Sequence, residues 1–335
     1  MSGNLSKRIY YQVLGVFQIV VFFAGFGSIL AQNKNAWQIH SPIFEKGPKG
    51  TFDETSVKDP SIVFYENVWH LFYTARGNNE YTTGYVSVKD LKSLNTAPRV
   101  ELKQIRGNTR YGCAPQVFYF SPQKKWYLIY QNRDANYQPV FSTNTNITKP
   151  ELWTPYQNLI QKDSDKKWID FWVIADDEKV YLFYTEAHSG VIVRSTSVKD
   201  FPSGWGESKK IFDNVHEAVH IYKMKDKKEF HMIYELNKNG IRSFGLASSS
   251  KLDGGWEKVT DDYANGNQLQ YSGDTKPWTE MVSHGEVIRS GFDEKMEYDP
   301  KNCRWLIQGI LKSELSDDYP SLPWKLGIIE HVNSK

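Results

Sequence analysis

Cysteine is scarce in this chain: Cys113 and Cys303 are the only two in 335 residues. They permit at most one intrachain disulfide, which rules out a disulfide-built scaffold and a Cys-rich metal centre. An excess of one charge is lacking as well. Lys and Arg number 41 against 39 Asp and Glu, the formal net charge is +2 and no basic stripe stands out, which argues against nucleic acid as a partner. Beyond the N-terminal segment there is no sustained helical periodicity and no low-complexity linker. There is no Gly-rich phosphate loop and no Gly-x-Ser-x-Gly elbow, so nucleotide chemistry of the P-loop kind and serine-hydrolase chemistry have no foothold.

One long apolar run is present, and it lies at the start. Lys7-Arg8 precedes an uncharged stretch from Ile9 to Leu30, and Ala31 offers a small residue before Gln32. This is the pattern of a signal peptide, though the run is long enough to span a bilayer as an uncleaved anchor. Either way the remainder is exported. Residues 1–31 are therefore expected to be a signal peptide or membrane anchor, and residues 32–335 one domain. The protein is expected outside the cell, with a membrane partner only if the leader is retained. Asn146-Ile-Thr148 would accept a glycan in a host that glycosylates.

Aromatics are abundant at 15%, with 11 Trp, 20 Tyr and 18 Phe, enough for a large core. Five segments share a pattern: Asp59-Pro-Ser-Ile-Val-Phe-Tyr, Ala114-Pro-Gln-Val-Phe-Tyr-Phe, Asp170-Phe-Trp-Val-Ile, Glu217-Ala-Val-His-Ile-Tyr and His284-Gly-Glu-Val-Ile. Each runs into a short apolar strand. Each is followed by a second, such as His70-Leu-Phe-Tyr or Tyr181-Leu-Phe-Tyr, with turn residues such as Ser121-Pro-Gln-Lys-Lys between. Third strands are readable at Tyr85-Val-Ser-Val, Val191-Ile-Val-Arg-Ser and Arg242-Ser-Phe-Gly-Leu-Ala. A loose repeat of short strands predicts an all-β, five-bladed β-propeller, closed by the strand in Leu322-Pro-Trp-Lys-Leu-Gly-Ile-Ile.

In a propeller, equivalent ends of the inner strands converge on one axis. The openers Asp59, Asp170, Glu217 and His284 then share one small volume. A lone Asp before an apolar run is usually a turn residue, but three acids in shared phase repel one another when ionised. Folding does not require that arrangement. Hydrolysis of a glycosidic bond uses it: one carboxylic acid protonates the leaving oxygen, and a second carboxylate activates water on the opposite face of the sugar. A third raises the acid's pKa by like-charge proximity. Position alone leaves His284 open as either a core histidine or the ligand of an ion beneath the carboxylates.

Several runs resemble the family 62 glycoside hydrolases, exported α-L-arabinofuranosidases that act on arabinoxylan. They are Lys58-Asp59-Pro, the run Ala114-Pro-Gln-Val to Gln131, Trp168-Ile-Asp-Phe-Trp-Val-Ile174, Phe201-Pro, Glu217-Ala, Ser283-His-Gly-Glu-Val-Ile-Arg-Ser-Gly-Phe-Asp293 and Tyr319-Pro-Ser-Leu-Pro-Trp-Lys-Leu-Gly327. The resemblance implies a monomeric five-bladed propeller that hydrolyses arabinofuranosyl side chains from arabinoxylan with inversion. It implies Asp59 as general base, Glu217 as general acid and Asp170 as the residue that tunes the acid. It assigns Lys58, Ile169, Arg289, Gln308 and Tyr319 to the sugar, and His284 to a structural calcium ion, whose remaining ligands would be mainly waters.

The chain also departs from the family pattern. The usual Arg is missing in Tyr111-Gly-Cys-Ala-Pro-Gln, Ile307 replaces a Tyr before Gln308, Pro320 follows Tyr319, and Asn132-Arg133-Asp134 stands where a Gly-Pro segment is usual. These changes bear on fine specificity and leave the three acids intact. A β-xylosidase or endo-arabinanase of the allied family 43, or a sugar-binding propeller without catalysis, are the competing readings.

Overall fold

The computed structural model describes residues 36–132, 138–161 and 163–332. The expected leader, 1–31, and the departures at Arg133 and Asp134 lie outside the described residues. Among those described, no helix is long and apolar enough to cross a membrane. The strands form five sheets, the five blades expected from the repeat.

Blade one runs Ser56–Tyr65, Val68–Gly77, Glu80–Val88 and Val100–Glu101. Blade two is Gly112–Phe120, Lys125–Asn132, Gln138–Asn144 and Gln157–Asn158; blade three is Trp168–Ala175, Lys179–Glu186, Gly190–Ser197 and Lys209–Asp213. Blade four comprises Glu217–Met224, Phe230–Lys238, Ile241–Ser249 and Glu257–Ala264, with the short strand Glu297–Tyr298 added in parallel to its inner edge. The inner strands are apolar nearly throughout because both their faces are covered. Trp168, Phe171, Trp172, Val173 and Ile174 are all buried, and Trp172 Nε1 donates across to Ile221 O at 2.9 Å.

Blade five is assembled from both halves of the chain. Ser283–Val287, Arg304–Gly309 and Lys325–His331 pair in order, as the closing-strand expectation requires. Trp37–Ile39 then pairs antiparallel with Lys325–His331 and parallel with Leu269–Tyr271. Trp37 is fully buried and packs edge-on against Tyr263 and Trp305. The N-terminal strand thus fastens the ring.

Each inner strand is bulged once. The register shifts fall between Lys58 and Ser61, Cys113 and Gln116, Ile169 and Trp172, Glu217 and His220, and Ser283 and Gly285. Bulges re-aim side chains next to active sites. Four of them hold a non-glycine residue in the left-handed region: Asp59 (φ 48°), Ala114 (φ 50°), Asp170 (φ 57°) and Ala218 (φ 48°). Such strain persists only where the surroundings over-determine it.

Here the surroundings are a circle of hydrogen bonds, in which each bulge N–H donates to a side chain of the preceding blade. Asp59 N donates to Gln308 Oε1 at 2.7 Å, Ala114 N to Thr74 Oγ1 at 2.8 Å and Asp170 N to Gln131 Oε1 at 3.2 Å. Ala218 N donates to Asp170 Oδ2 at 2.8 Å, and His284 N to Glu235 Oε2 at 2.8 Å. The two cysteines are free and buried.

Candidate active site

The bulges place the sequence-predicted acids in one cavity of about 390 Å³, lined by Lys58, Asp59, Asp170, Glu217, His284 and Tyr319 among others. The acids converge, but Glu217 stands one residue out of phase with the others. The bulge phase aligns Asp59, Ala114, Asp170 and Ala218. Glu217 precedes its bulge, so it stands in register where Lys58 stands in blade one. Asp59 and Asp170 therefore leave the strand from left-handed positions, whereas Glu217 reaches the cavity from the flank.

Lys58 Nζ lies 3.1 Å from Asp59 Oδ2 and donates to the Tyr319 hydroxyl at 3.4 Å. Burial is the largest influence on Lys58 and opposes its charge, but Asp59, Tyr319 and the other neighbours together outweigh it and hold its pKa well above the ordinary value. The His284 ring sits between two carboxylates, with Nδ1 3.5 Å from Asp59 Oδ1 and 3.6 Å from Asp170 Oδ2. Asp170 is buried, and burial followed by the negative charges of Glu217 and Asp59 raises its pKa well above the carboxylate range. Its Oδ2 accepts from the backbone N–H of Ala218 and so holds that residue beside Glu217.

Glu217 is in the opposite state. Burial alone would raise its pKa, but Arg242, His216 and His188 outweigh burial and bring it down to about 2. Arg242 Nη1 donates to Glu217 Oε1 at 2.7 Å and contacts Glu235 Oε1 as well. Glu235 is fully buried and its pKa is pushed up to about 7, chiefly by burial. Its other oxygen accepts from Ser283 Oγ at 2.7 Å.

Sequence reasoning missed Arg242, Glu235, His188 and His216. His188 and His216 stack at 4.5 Å and flank Glu217, with ring nitrogens 3.6 and 3.8 Å from its carboxylate oxygens. One signal was there to be read: His216-Glu217-Ala-Val-His220 spells the HExxH pattern. That pattern binds zinc when a helix sets both histidines on one face. Here it lies at the start of a bulged strand, and His220 is buried against Trp172 at 4.1 Å, away from His216. It makes no zinc pair.

Two expected sugar contacts need correction. Arg289 is buried in the channel, 2.8 Å from Glu286, and donates to Val117 O at 2.8 Å. Glu286 in turn accepts from Ser61 Oγ at 2.5 Å. Gln308 is buried beneath Asp59 and fixes its backbone, as described above. Neither lines the cavity. Ile169, Lys58 and Tyr319 do.

As for the calcium ion, the donors converging on His284 are one ring nitrogen and the two carboxylate oxygens named above. Hard carboxylate oxygens suit calcium, but the shell of six to eight ligands would have to be completed largely by water.

A propeller with three carboxylates converging at one mouth of its channel, Asp59 and Glu217 ion-paired to Lys58 and Arg242 and Asp170 buried beside His284, defines the class of propeller glycoside hydrolases. The comparisons narrow this. Residues 32–330 match the model of glycosyl hydrolase family 62, and the chain belongs to that family. It is 35% identical over 286 residues to alpha-L-arabinofuranosidase C of Cellvibrio japonicus, covering 82% of this chain but 44% of that relative's length. The catalytic domain of the Coprinopsis cinerea GH62 alpha-L-arabinofuranosidase superposes with a TM-score of 0.82 at 32% identity, covering 90% of this chain and 98% of that one. The alpha-L-arabinofuranosidase PaAbf62A from Podospora anserina, solved in complex with cellotriose, gives 0.81 at 29% identity, covering 90% and 98%.

Proposed function

We propose that this protein is an exported, inverting α-L-arabinofuranosidase that removes arabinofuranosyl side chains from arabinoxylan. The observation that carries the reading is the cavity itself, which brings Asp59, Asp170 and Glu217 together beside Lys58 and Tyr319. Asp59 is the general base, oriented by its ion pair with Lys58. It takes a proton from the water that attacks the anomeric carbon. Glu217 is the general acid for the departing xylan oxygen. Lys58, Tyr319 and Ile169 line the arabinose pocket.

To donate a proton Glu217 must first carry one, and Arg242 opposes this. Glu235 supplies the alternative partner for the same guanidinium. Arg242 can shift its charge to Glu235 as the sugar enters, and Glu217 then protonates in a desolvated site. Catalytic contacts commonly tighten only with substrate bound. His284 is assigned a calcium ion with a water-rich shell, which would offset the carboxylates without touching the sugar. The leader directs export, the mature chain beginning near Gln32.

The test is direct. The protein is incubated with wheat arabinoxylan and free arabinose is measured; absence of arabinose overturns the reading.

A further inference from the structure

Beside the catalytic cavity lies a larger one of about 770 Å³, and the two share Tyr81, Tyr111 and Pro320 as a common wall. Its lining holds Arg76, Arg110, aromatic rings and neutral polar groups, and no Asp or Glu. The catalytic cavity next to it is rich in carboxylates, so the two differ in charge as well as in size.

Arg76 is exceptional. Each of the other seven arginines among the described residues lies within 3.4 Å of a carboxylate. Arg76 makes no ion pair among these residues. Its guanidinium lies over the Tyr81 ring at 4.7 Å, and its Nη1 is enclosed without a hydrogen-bond partner. A half-buried guanidinium with an unmet donor is costly unless an acceptor completes it, and a carboxylate does so with the strongest bonds. Of the nearby acids, Glu54 accepts from the backbone N–H groups of Gly50 and Asn78, Glu80 holds Arg106 and Arg110, and Asp318, which lines a separate cavity with Arg76, makes no ion pair with it. Arg110 Nε is 3.4 Å from Glu80 while its side chain is 80% exposed, so much of that guanidinium stays open to solvent.

We propose that this cavity is a subsite for a carboxylate-bearing sugar, a uronic acid substituent on the polysaccharide backbone, with Arg76 as its principal recognition residue. This rests on the arabinofuranosidase reading above and deepens it. A guanidinium matches a carboxylate with two parallel N–H···O bonds, and Tyr81, already stacked on Arg76, offers a ring edge to the pyranose. Because the cavities share a wall, the acidic sugar would sit on a backbone unit close to the one that carries the arabinose.

The experiment uses two arabinoxylo-oligosaccharides that differ only in a glucuronic acid on a neighbouring xylose. For the wild-type protein kcat/KM is expected to be about fivefold to tenfold higher on the acidic member, the scale of one charge-assisted pair at a partly buried site. The ratio should fall toward one as salt is raised. In Arg76→Gln it should collapse to about one, and Arg76→Lys should keep part of it. A wild-type ratio at or below one overturns the proposal, as does an Arg76→Gln loss equal on both substrates. Calorimetric binding of uronic-acid-bearing and neutral xylo-oligosaccharides without arabinose separates the two readings. If no arabinose is released from either substrate, the activity reading falls, while tighter, Arg76-dependent binding of the acidic ligand still upholds the subsite and equal binding overturns it.

Discussion

Replacing Arg242 by Met removes the one guanidinium that Glu217 and Glu235 share. Two routes give the cost. Breaking a buried pair by deleting one partner destabilises by about 3–5 kcal/mol. Independently, the drop in the Glu217 pKa from 4.5 to about 2 corresponds to on the order of 3 kcal/mol of differential interaction. At roughly 2–4 °C per kcal/mol, and somewhat less in a chain of this length, the melting temperature should fall by about 5–15 °C near neutral pH.

The pH dependence fixes the cause. In the wild type the depressed Glu217 contributes stability that is present above its unfolded pKa and lost as pH falls from 4.5 towards 2. In the variant that contribution is diminished, and burial, no longer opposed by Arg242, pushes both carboxyls upward. Groups raised in this way favour the fold below the unfolded pKa, and that stability is lost as pH rises. The deficit of Arg242→Met should therefore be larger at pH 8 than at pH 5. Calorimetric melts of both proteins at the two pH values check it. A deficit equal at both, or larger at pH 5, refutes the charge argument and leaves only lost packing.

The acids make separate predictions. Asp59→Asn removes the base and should lower turnover by about 10²–10⁴-fold on every substrate, as read by arabinose release from polymer and aryl arabinoside alike. Glu217→Gln should be spared on an aryl arabinoside whose leaving group needs no proton and suffer on arabinoxylan; equal losses on both would remove it from the acid role. Proton NMR of the first-formed arabinose should show the inverted anomer, because water attacks from the face opposite the leaving group. His284→Ala should lower melting temperature and activity together without rescue by added calcium, and elemental analysis of untreated wild-type protein should find the ion; a calcium-free result reduces His284 to a core histidine.

The blades were legible because each carries its signal locally. Apolar strand, turn and apolar strand lie within about thirty residues, and period-two patterning needs no distant partner. The strand Trp37–Ile39 was not legible, since its partner strand sits at the other end of the chain and three residues hold no pattern. The convergence of Asp59, Asp170, Glu217 and His284 could be read from phase. The one-residue offset at Glu217 could not, because bulge placement depends on which neighbouring side chain accepts the freed N–H. Arg289 lies in a run that carries the family resemblance and Gln308 follows one of the departures from it, yet Arg289 acts on Glu286 and Gln308 on backbone. A motif marks a constrained position without saying whether sugar or protein imposes the constraint. Arg242 and Arg76 look alike in sequence, as arginines in or beside strands; only the presence or absence of a nearby carboxylate tells them apart.

The clasp in blade five sets an order of events in the life of the chain. Trp37 finds His331 only after almost the whole polypeptide has been made. At about 5–20 residues per second that is a wait of roughly 15–60 s between the synthesis of the two strands. During this interval the ring is an open arc, and the edge that Lys325–His331 will later pair is not yet built. On the export proposed above, a chain threaded across a membrane N-terminus first crosses before its seam can shut, and closure then belongs to the far side. A peptidase that trimmed such an N-terminal segment would work close in sequence to the strand that does the shutting. A cut a few residues before Trp37 frees that strand to seal the ring, and a cut a few residues after it would leave a blade with a missing stave.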